Sequence, residues 1–224
     1  MELREYLSIR RAYNLVRQDT DAASRLTFSE FAILCRLQNA GGSLRTSDIA
    51  DYQGSLRPTM THRTKHLSVL GLIERSKGDT DRRNVVCSIS EQGSQLAQEL
   101  CSKTCDMIPV GQALSRVTAD RMRRYVDAMG SVACMSGDLI LLGMRDAGCE
   151  CCTVTDLVDW LGLLQPTVSM TVASLVGNGC LERMQLEDSP RSAQVKITEK
   201  GAERAEAVAE QIESLVVRRK SRSN

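Results

Sequence analysis

Aromatic residues are scarce in this chain of 224 residues, where two Phe, four Tyr and one Trp make up 3% of the sequence. So few rings exclude a surface of stacked aromatic side chains, whether for single-stranded nucleic acid or for a planar cofactor. The core must therefore consist mainly of Leu, Val, Ile, Ala and Met side chains, and we expect no cofactor.

Long apolar runs are also missing. The longest uninterrupted stretch near the middle of the chain, Leu139 to Leu142, is far shorter than the roughly 20 residues of a membrane-spanning helix. Charged residues between Glu2 and Arg11 interrupt any secretory signal. We therefore expect a cytoplasmic protein without a membrane segment, in which the nine cysteines are reduced thiols.

Neither a dominant charge nor a catalytic motif is present. The 29 basic and 28 acidic residues leave a net charge of +1, which argues against disorder and against polyanion binding by the whole chain but leaves a local basic face open. The sequence contains no P-loop, no G-x-S-x-G and no H-E-x-x-H, and its only histidines are His62 and His66. An enzyme is not expected.

What the chain does contain is an internal repeat, because residues 48 to 93 match residues 156 to 201 at a constant shift of 108 without a gap. This period is the size of a small domain, so it favours two tandem copies over a solenoid. We predict a boundary near Pro109, with domains at 1–108 and 109–224. The identical positions, numbered in the first copy, are Asp48, Asp51, Gly54, Leu56, Pro58, Thr59, Leu67, Gly71, Glu74, Arg75, Arg83, Ile89, Glu91 and Gly93.

Hydrophobic periodicity predicts the same order of elements in each copy. In the first, an apolar stripe beginning at Phe28 ends at Gly41, a short helix covers 46–52, and a third helix begins at Pro58 and ends at Gly71. Two short extended runs, 72–75 and 84–90, then form a hairpin. This is a winged helix-turn-helix, so the predicted fold is mainly α with small β wings. Long amphipathic helices over 1–21, 111–129 and 199–219 would pack the two copies together.

The third helix carries the predicted nucleic-acid interface. With Met60, Thr64 and Leu67 facing the core, its opposite side presents basic and hydroxyl groups, and no acidic residue occurs from Arg57 to Gly71. A solvated basic face, or a metal pair formed by the two histidines, would be the alternatives. The residues expected to contact double-stranded DNA are Arg57, Thr59, Thr61, His62, Arg63, Lys65 and His66.

The hairpin supplies a second candidate contact. Its polar segment 78–83 contains Arg82 and Arg83, and a narrow minor groove attracts an arginine that is presented on a wing. We place Arg82 at the tip, whereas Arg83 would brace the hairpin against Asp81. An ordinary charged turn is the alternative interpretation.

These segments together resemble the MarR family of bacterial transcriptional regulators. The resemblance covers 26–93, through LTFSEF, DIADYQGSLRPTMTHRTKHLSVLGLIER, DTDRR and SISEQG. It implies a winged helix that reads duplex DNA, commonly as a repressor and as a two-fold dimer built from helices at both chain ends. Members commonly respond to small phenolic or lipophilic effectors or to cysteine oxidation, but the motifs identify no effector residue here.

The tandem arrangement departs from that family, whose ordinary members carry one winged helix per chain. A single chain would then act as its own dimer, although association of two chains stays open. The copies are unequal, since residues 45–92 hold eight basic and six acidic residues (net +2) and residues 153–200 hold four and six (net −2). We expect the first copy to dominate binding, with weaker contacts from Gln165, Thr167, Ser169 and Arg191.

Two alternatives remain at this point. The uncharged surface around Met170 and Ala173 in the second copy is typical of a protein-interaction module that regulates another transcription factor. Closely spaced thiols suggest a redox-responsive or metal-responsive regulator, although free cysteine is often a small buried hydrophobe. The candidate sensing residues are Cys101, Cys105, Cys149, Cys151 and Cys152.

Overall fold

The computed structural model describes residues 1–21, 25–77, 85–112, 114–184 and 194–217. The fold is mainly helical with two small antiparallel sheets, as the sequence predicts. Its elements form two compact units. We call residues 19–133 with 215–224 the first-copy unit, and residues 1–18 with 134–214 the second-copy unit.

The first helix of the chain, α1 (Leu3–Gln18), belongs to the second-copy unit. The first-copy unit contains α2 (Phe28–Ala40), β1 (Leu44–Arg45), α3 (Thr46–Tyr52), α4 (Arg57–Val69), β2 (Ile73–Lys77), β3 (Val85–Ile89), α5 (Glu91–Asp106) and α6 (Ala119–Met129). The second-copy unit continues with α7 (Ser136–Ala147), β4 (Cys151–Thr153), α8 (Val154–Leu161), α9 (Gln165–Gly177), β5 (Leu181–Met184), β6 (Gln194–Ile197) and α10 (Glu199–Glu213).

Each sheet has three strands, where the sequence predicts two. The orders are β1-β3-β2 and β4-β6-β5, with antiparallel pairing throughout. Ile73 lies opposite Ile89 in the first sheet, and Leu181 lies opposite Ile197 in the second. The additional strands, β1 and β4, are two and three residues long, which is too short for an alternating pattern to be recognised.

Two predicted helices are shorter than expected. The helix predicted over 111–129 begins at Ala119, because the Thr118 side chain accepts a hydrogen bond from the Arg121 backbone N–H and caps the helix there. The helix predicted over 199–219 ends at Glu213, with Ser214 at its C-cap. None of the helices in the described ranges is long and apolar enough to cross a membrane, and only α8 with α9 reaches that length and composition, as a pair bent by 118°.

The packing units differ from the predicted division at Pro109. Helix α1 packs against α7, α8 and α10, whereas α6 packs against α2 and α5. The last backbone carbonyl groups of a helix have no hydrogen-bond donor within that helix. At the end of α8, side chains of α1 provide these donors. Asn14 Nδ2 donates to the Leu161 carbonyl at 2.9 Å, and Gln18 Nε2 donates to the Gly162 carbonyl at 2.8 Å. The second-copy unit is thus completed by a helix that precedes the first copy in the sequence.

In the first-copy unit, a polar cluster joins α6 to the helix-turn-helix. Asn39 Nδ2 donates to the Asp127 carboxylate at 2.9 Å, the Tyr52 hydroxyl donates to the Asp127 backbone carbonyl at 3.2 Å, and the Arg36 guanidinium lies over the Tyr52 ring. Burial raises the pKa of Asp127, while the Asn39 and Arg36 side chains partly oppose that increase. Helices α2, α3 and α6 are therefore held together by one group of polar and aromatic side chains around the buried Asp127.

A close approach between backbone segments occurs at the start of α5 and again at the start of α10. The side chains of Ser90 and Thr198 accept hydrogen bonds from the backbone N–H groups of Gly93 and Gly201. Both glycines lie against a backbone carbonyl of the preceding segment, that of Leu72 in the first copy and that of Cys180 in the second. The repeated glycine is explained by the lack of space for a side chain.

Candidate nucleic-acid interface

Helix α4 is held by its buried stripe. Gly54, with a φ of 54°, forms the turn after α3, and Pro58 occupies the first turn of α4. Met60, Thr64 and Leu67 are buried, as the periodicity predicts. Because these three side chains fix the rotation of the helix, its opposite side faces outward.

The outward side of α4 carries positive charge and no acidic side chain. Arg57, Thr59, His62 and Lys65 are exposed, and Thr61 is partly buried. Exposed Leu56 and Val69 lie near the two ends of the helix. The ammonium, guanidinium, imidazole and hydroxyl groups on this side of α4 can therefore approach a groove or a phosphate.

Two of the predicted contact residues have partners inside the protein. His66 Nδ1 lies 2.6 Å from Glu30 Oε1, and Arg63 Nη1 donates to the Ser55 hydroxyl at 3.3 Å. Burial lowers the pKa of Arg63, although the nearby Glu30 carboxylate partly opposes the decrease. Both side chains are half-buried, so they support α4 from the side as well as adding to its charge.

The sequence-based interpretation missed Glu30. It lies at the third position of α2, where the Thr27 hydroxyl and backbone N–H donate to its Oε2 at 2.7 and 2.8 Å. The spacing Thr-x-x-Glu is typical of a capping box at a helix start, so the sequence does mark the acid as a cap. Its second bond, to a residue 36 positions away, has no sequence signal.

Glu30 stays ionised although it is buried. Burial raises the pKa of its carboxyl, but the hydrogen bonds from the Thr27 backbone and the His66 ring lower it more, so the pKa lies below the ordinary value of 4.5. A carboxyl whose pKa is depressed by folding stabilises the folded state above its unfolded pKa, and this contribution is lost as pH falls through the folded pKa.

Replacement of Glu30 by glutamine should therefore reduce stability in a pH-dependent way. At neutral pH we expect E30Q to unfold at lower urea concentration than the wild type, because the ionised hydrogen-bond acceptor is lost. The difference should shrink as pH falls below 4.5 and disappear once Glu30 is protonated in the folded state. Urea unfolding at a series of pH values measures this; a difference that stays constant from pH 7 to pH 3 would contradict it.

The matching surface in the second copy has no charge. No residue of α9 is acidic or basic, and Gln165, Ser169, Met170 and Ala173 are exposed, while Thr167 is partly buried. Met170 has 75% of its surface exposed. Gln165 and Ser169 remain available for hydrogen bonds, but α9 offers no cation to a phosphate.

The wing arginines lie outside the described residues. Arg82 and Arg83 fall within 78–84, and Arg191 falls within 185–193. Their contacts with DNA therefore stay predictions. The strands that lead into each wing, β2 and β3 in the first copy and β5 and β6 in the second, are described and pair as a hairpin requires.

The structure divides the candidate sensing cysteines. Cys101 and Cys152 are buried, and burial raises the pKa of Cys105 to about 11 and that of Cys152 to about 12, which disfavours the reactive thiolate. Cys149 is exposed and Cys151 is partly buried, so these two stay candidates. All nine thiols are free, and the described residues contain no group of three or more metal-ligating side chains.

Comparison with known proteins finds one family match, which lies in the first copy. Residues 26–85 match the model of the MarR family, a range that contains the whole helix-turn-helix and α4. The matched range does not extend into the second copy. No curated protein sequence matches the chain.

Solved structures that are similar to the chain include three from different organisms. The transcriptional regulator BldR from Sulfolobus solfataricus is 21% identical, with a TM-score of 0.39 over 45% of this chain and 68% of that one. The YusO protein from Bacillus subtilis is 20% identical, with a TM-score of 0.38 over 58% and 85%. A mutant MarR from E. coli in complex with operator DNA is 18% identical, with a TM-score of 0.34 over 47% and 77%.

Proposed function

We propose that this chain is a sequence-specific, double-stranded DNA-binding transcriptional regulator of the MarR type, in which the first copy dominates binding. One observation carries the proposal: within the range that matches the MarR family, α4 turns an exposed side with basic groups and no acid away from its buried stripe. A helix-turn-helix uses such a helix in the major groove. We further propose repression as the outcome, following the usual behaviour of the family.

The tandem chain would serve as its own dimer in this proposal. Its support is the repeat at a shift of 108 together with the placement of α1 in the second-copy unit and of α6 in the first-copy unit. The uncharged α9 would add a weaker contact through Gln165 and Ser169. Selection of bound sequences from a random DNA pool tests both parts. Enrichment of one asymmetric site supports a dominant first copy, whereas enrichment of a palindrome supports equal binding by both copies. If no sequence is enriched, sequence-specific DNA binding is rejected.

The charge on α4 should determine both affinity and salt dependence. A chain with Arg57→Ala and Lys65→Ala is expected to bind the selected DNA more weakly. The magnitude of the slope of log affinity against log salt should decrease by about 2, because two fewer phosphates are neutralised. Arg63 is left intact, since its guanidinium donates to Ser55. Fluorescence anisotropy between 50 and 300 mM salt measures both quantities.

The second copy provides the matched control for that measurement. Gln165 occupies the position of Arg57 under the shift of 108, and the position of Lys65 is already alanine at Ala173. Gln165→Ala should leave the salt slope unchanged. An equal slope in the wild type and the double variant would reject the assignment of α4 as the reading helix.

A second candidate function follows from the exposed apolar side of α9. Leu164 and Met170 are exposed, and α9 has no charged residue, so this copy could bind another regulator in place of DNA. In that case the purified chain would retain no duplex DNA even at low salt. Stable association with a protein that is lost on Met170→Glu would favour this candidate.

A further inference from the structure

The buried carboxylate of Glu30 connects two helices of the first copy. Only 6% of its side-chain surface is exposed, and its two oxygen atoms have different partners. Oε2 accepts from Thr27 at the start of α2, while Oε1 faces His66 Nδ1 of α4 at 2.6 Å. The hydrogen bonds from Thr27 fix the position of the Glu30 carboxylate at the start of α2. The hydrogen bond to His66 therefore connects α4 to the start of α2.

The second copy has a different acidic residue at the equivalent position, with a different second partner. The position equivalent to Glu30 is Asp138, which accepts from the Met135 backbone N–H at the start of α7. Its other oxygen pairs with Arg204 of α10 at 2.8 Å, and the position equivalent to His66 is the exposed Ser174 of α9. The connection to the third helix of the motif therefore exists in the first copy and is replaced in the second.

We propose that Glu30 and His66 form a positioning pair that sets the orientation of α4 on α2 for DNA reading. This inference rests on the proposed DNA-binding function and deepens it, because it assigns His66 to positioning α4 through a ring nitrogen that points into the protein. The Nδ1 atom donates to the carboxylate in both the imidazolium form and the Nδ1-protonated neutral form. The pair therefore operates in either protonation state.

The position of the pair on the helix explains why it would matter. Three buried side chains, Met60, Thr64 and Leu67, set the rotation of α4 but occupy one stripe. His66 lies beside that stripe and adds a directional bond to a charged acceptor, which is stronger than a bond between neutral groups. Bidentate base contacts tolerate little displacement, so a small tilt of α4 would weaken specific binding more than phosphate binding.

A double-mutant cycle on the full chain tests the pair. Glu30→Gln keeps an amide oxygen for the Thr27 cap, and His66→Ala removes the imidazole. Each single change is expected to lower affinity for the selected duplex by about tenfold. The double change should cost less than the sum of the two single changes, because each single change already removes the contact between the imidazole and the ionised carboxylate. Glu30 is buried and cannot touch DNA, so its effect is indirect, and the coupling with His66 in the cycle assigns that effect to the contact between α2 and α4.

Salt dependence separates positioning from direct contact. If His66 binds a phosphate as an imidazolium, His66→Ala lowers the salt slope by nearly 1, as Lys65→Ala should, when the titration is run at a pH of about 5.5. If His66 positions α4, the slope stays at its wild-type value while affinity falls. His66→Asn, whose side-chain amide can occupy the place of Nδ1, should recover most of the affinity lost in His66→Ala.

The matched control is Asp138→Asn in the second copy, which should leave affinity for DNA unchanged. Far-ultraviolet circular dichroism and thermal unfolding of each variant verify that it is folded. Additive losses in the cycle, or a changed salt slope in His66→Ala, would overturn the positioning role while wild-type binding upholds the proposed function. If the wild type itself shows no preference for any duplex, the proposed function fails and the pair has no reading helix to position.

Discussion

Gly93→Ala is expected to destabilise the first-copy unit by about 3 kcal/mol or more, since added atoms that have no room force the backbone to move. A Cβ atom at this position would lie 1.9 Å from the Leu72 carbonyl oxygen and 2.8 Å from its carbon. These are backbone atoms, so no side chain can rotate away. The same segment holds the junction of α4 with β2, because the Ser90 backbone N–H donates to the Leu72 carbonyl.

Gly201→Ala should have the equivalent effect on the second-copy unit, where the added Cβ would lie 2.1 Å from the Cys180 carbonyl oxygen. The single tryptophan, Trp160 of α8, belongs to that unit. Its fluorescence should therefore detect the loss in G201A, while circular dichroism detects the loss in both variants.

Two other glycines serve as controls for this pair. Gly42 and Gly177 have no atom within 4 Å of an added Cβ and do not have a positive φ, so alanine there should be neutral or stabilise slightly. Urea unfolding of the four variants provides the comparison. If G93A and G201A unfold at the same urea concentration as the two controls, the steric explanation of the repeated glycine is wrong.

Removal of residues 1–18 is expected to abolish cooperative unfolding of the second-copy unit and to leave the helix-turn-helix of the first copy folded. Helix α1 buries Leu3, Tyr6, Leu7, Ile9, Ala12, Tyr13 and Val16. Loss of this much apolar contact is comparable with the roughly 5–15 kcal/mol that stabilises a typical domain. The carbonyl groups of Leu161 and Gly162 would also lose their hydrogen-bond donors.

Trp160 fluorescence measures this effect directly, because its emission should shift towards that of the unfolded chain before any denaturant is added. Ile9→Ala is the milder version and should cost about 2–5 kcal/mol, the usual range for a fully buried aliphatic side chain. Arg4→Ala is the control, since Arg4 is exposed and pairs only at the surface with Asp146. A truncated chain with native Trp160 emission and a sharp transition would contradict the role of α1.

Periodicity and repetition predicted much of the fold. The stripe of Met60, Thr64 and Leu67 identified the buried side of α4, because spacing at helical intervals determines which side of a helix is apolar. The shift of 108 predicted the order of elements that the structure has over residues 136–213, and Pro58 marked the start of α4. The exposed positions of His62 and Lys65 followed from the same geometry.

The partners of each helix could not be predicted in the same way. An amphipathic pattern identifies an apolar face but not the surface that covers it, so the placement of α1 in the second-copy unit had no sequence signal. The bond between Glu30 and His66 joins residues far apart in the chain, and charge counting along α4 alone assigned both histidines to DNA. Strand β1 was missed because two residues are too few to show an alternation of apolar and polar side chains.

The placement of α1 has consequences for folding during translation and for separation of the two copies. During translation the first copy has all its helices soon after α6 leaves the ribosome, while α1 obtains its partners α7, α8 and α10 only after that point. A gene split at the midpoint of the repeat would separate the second copy from the helix that completes it.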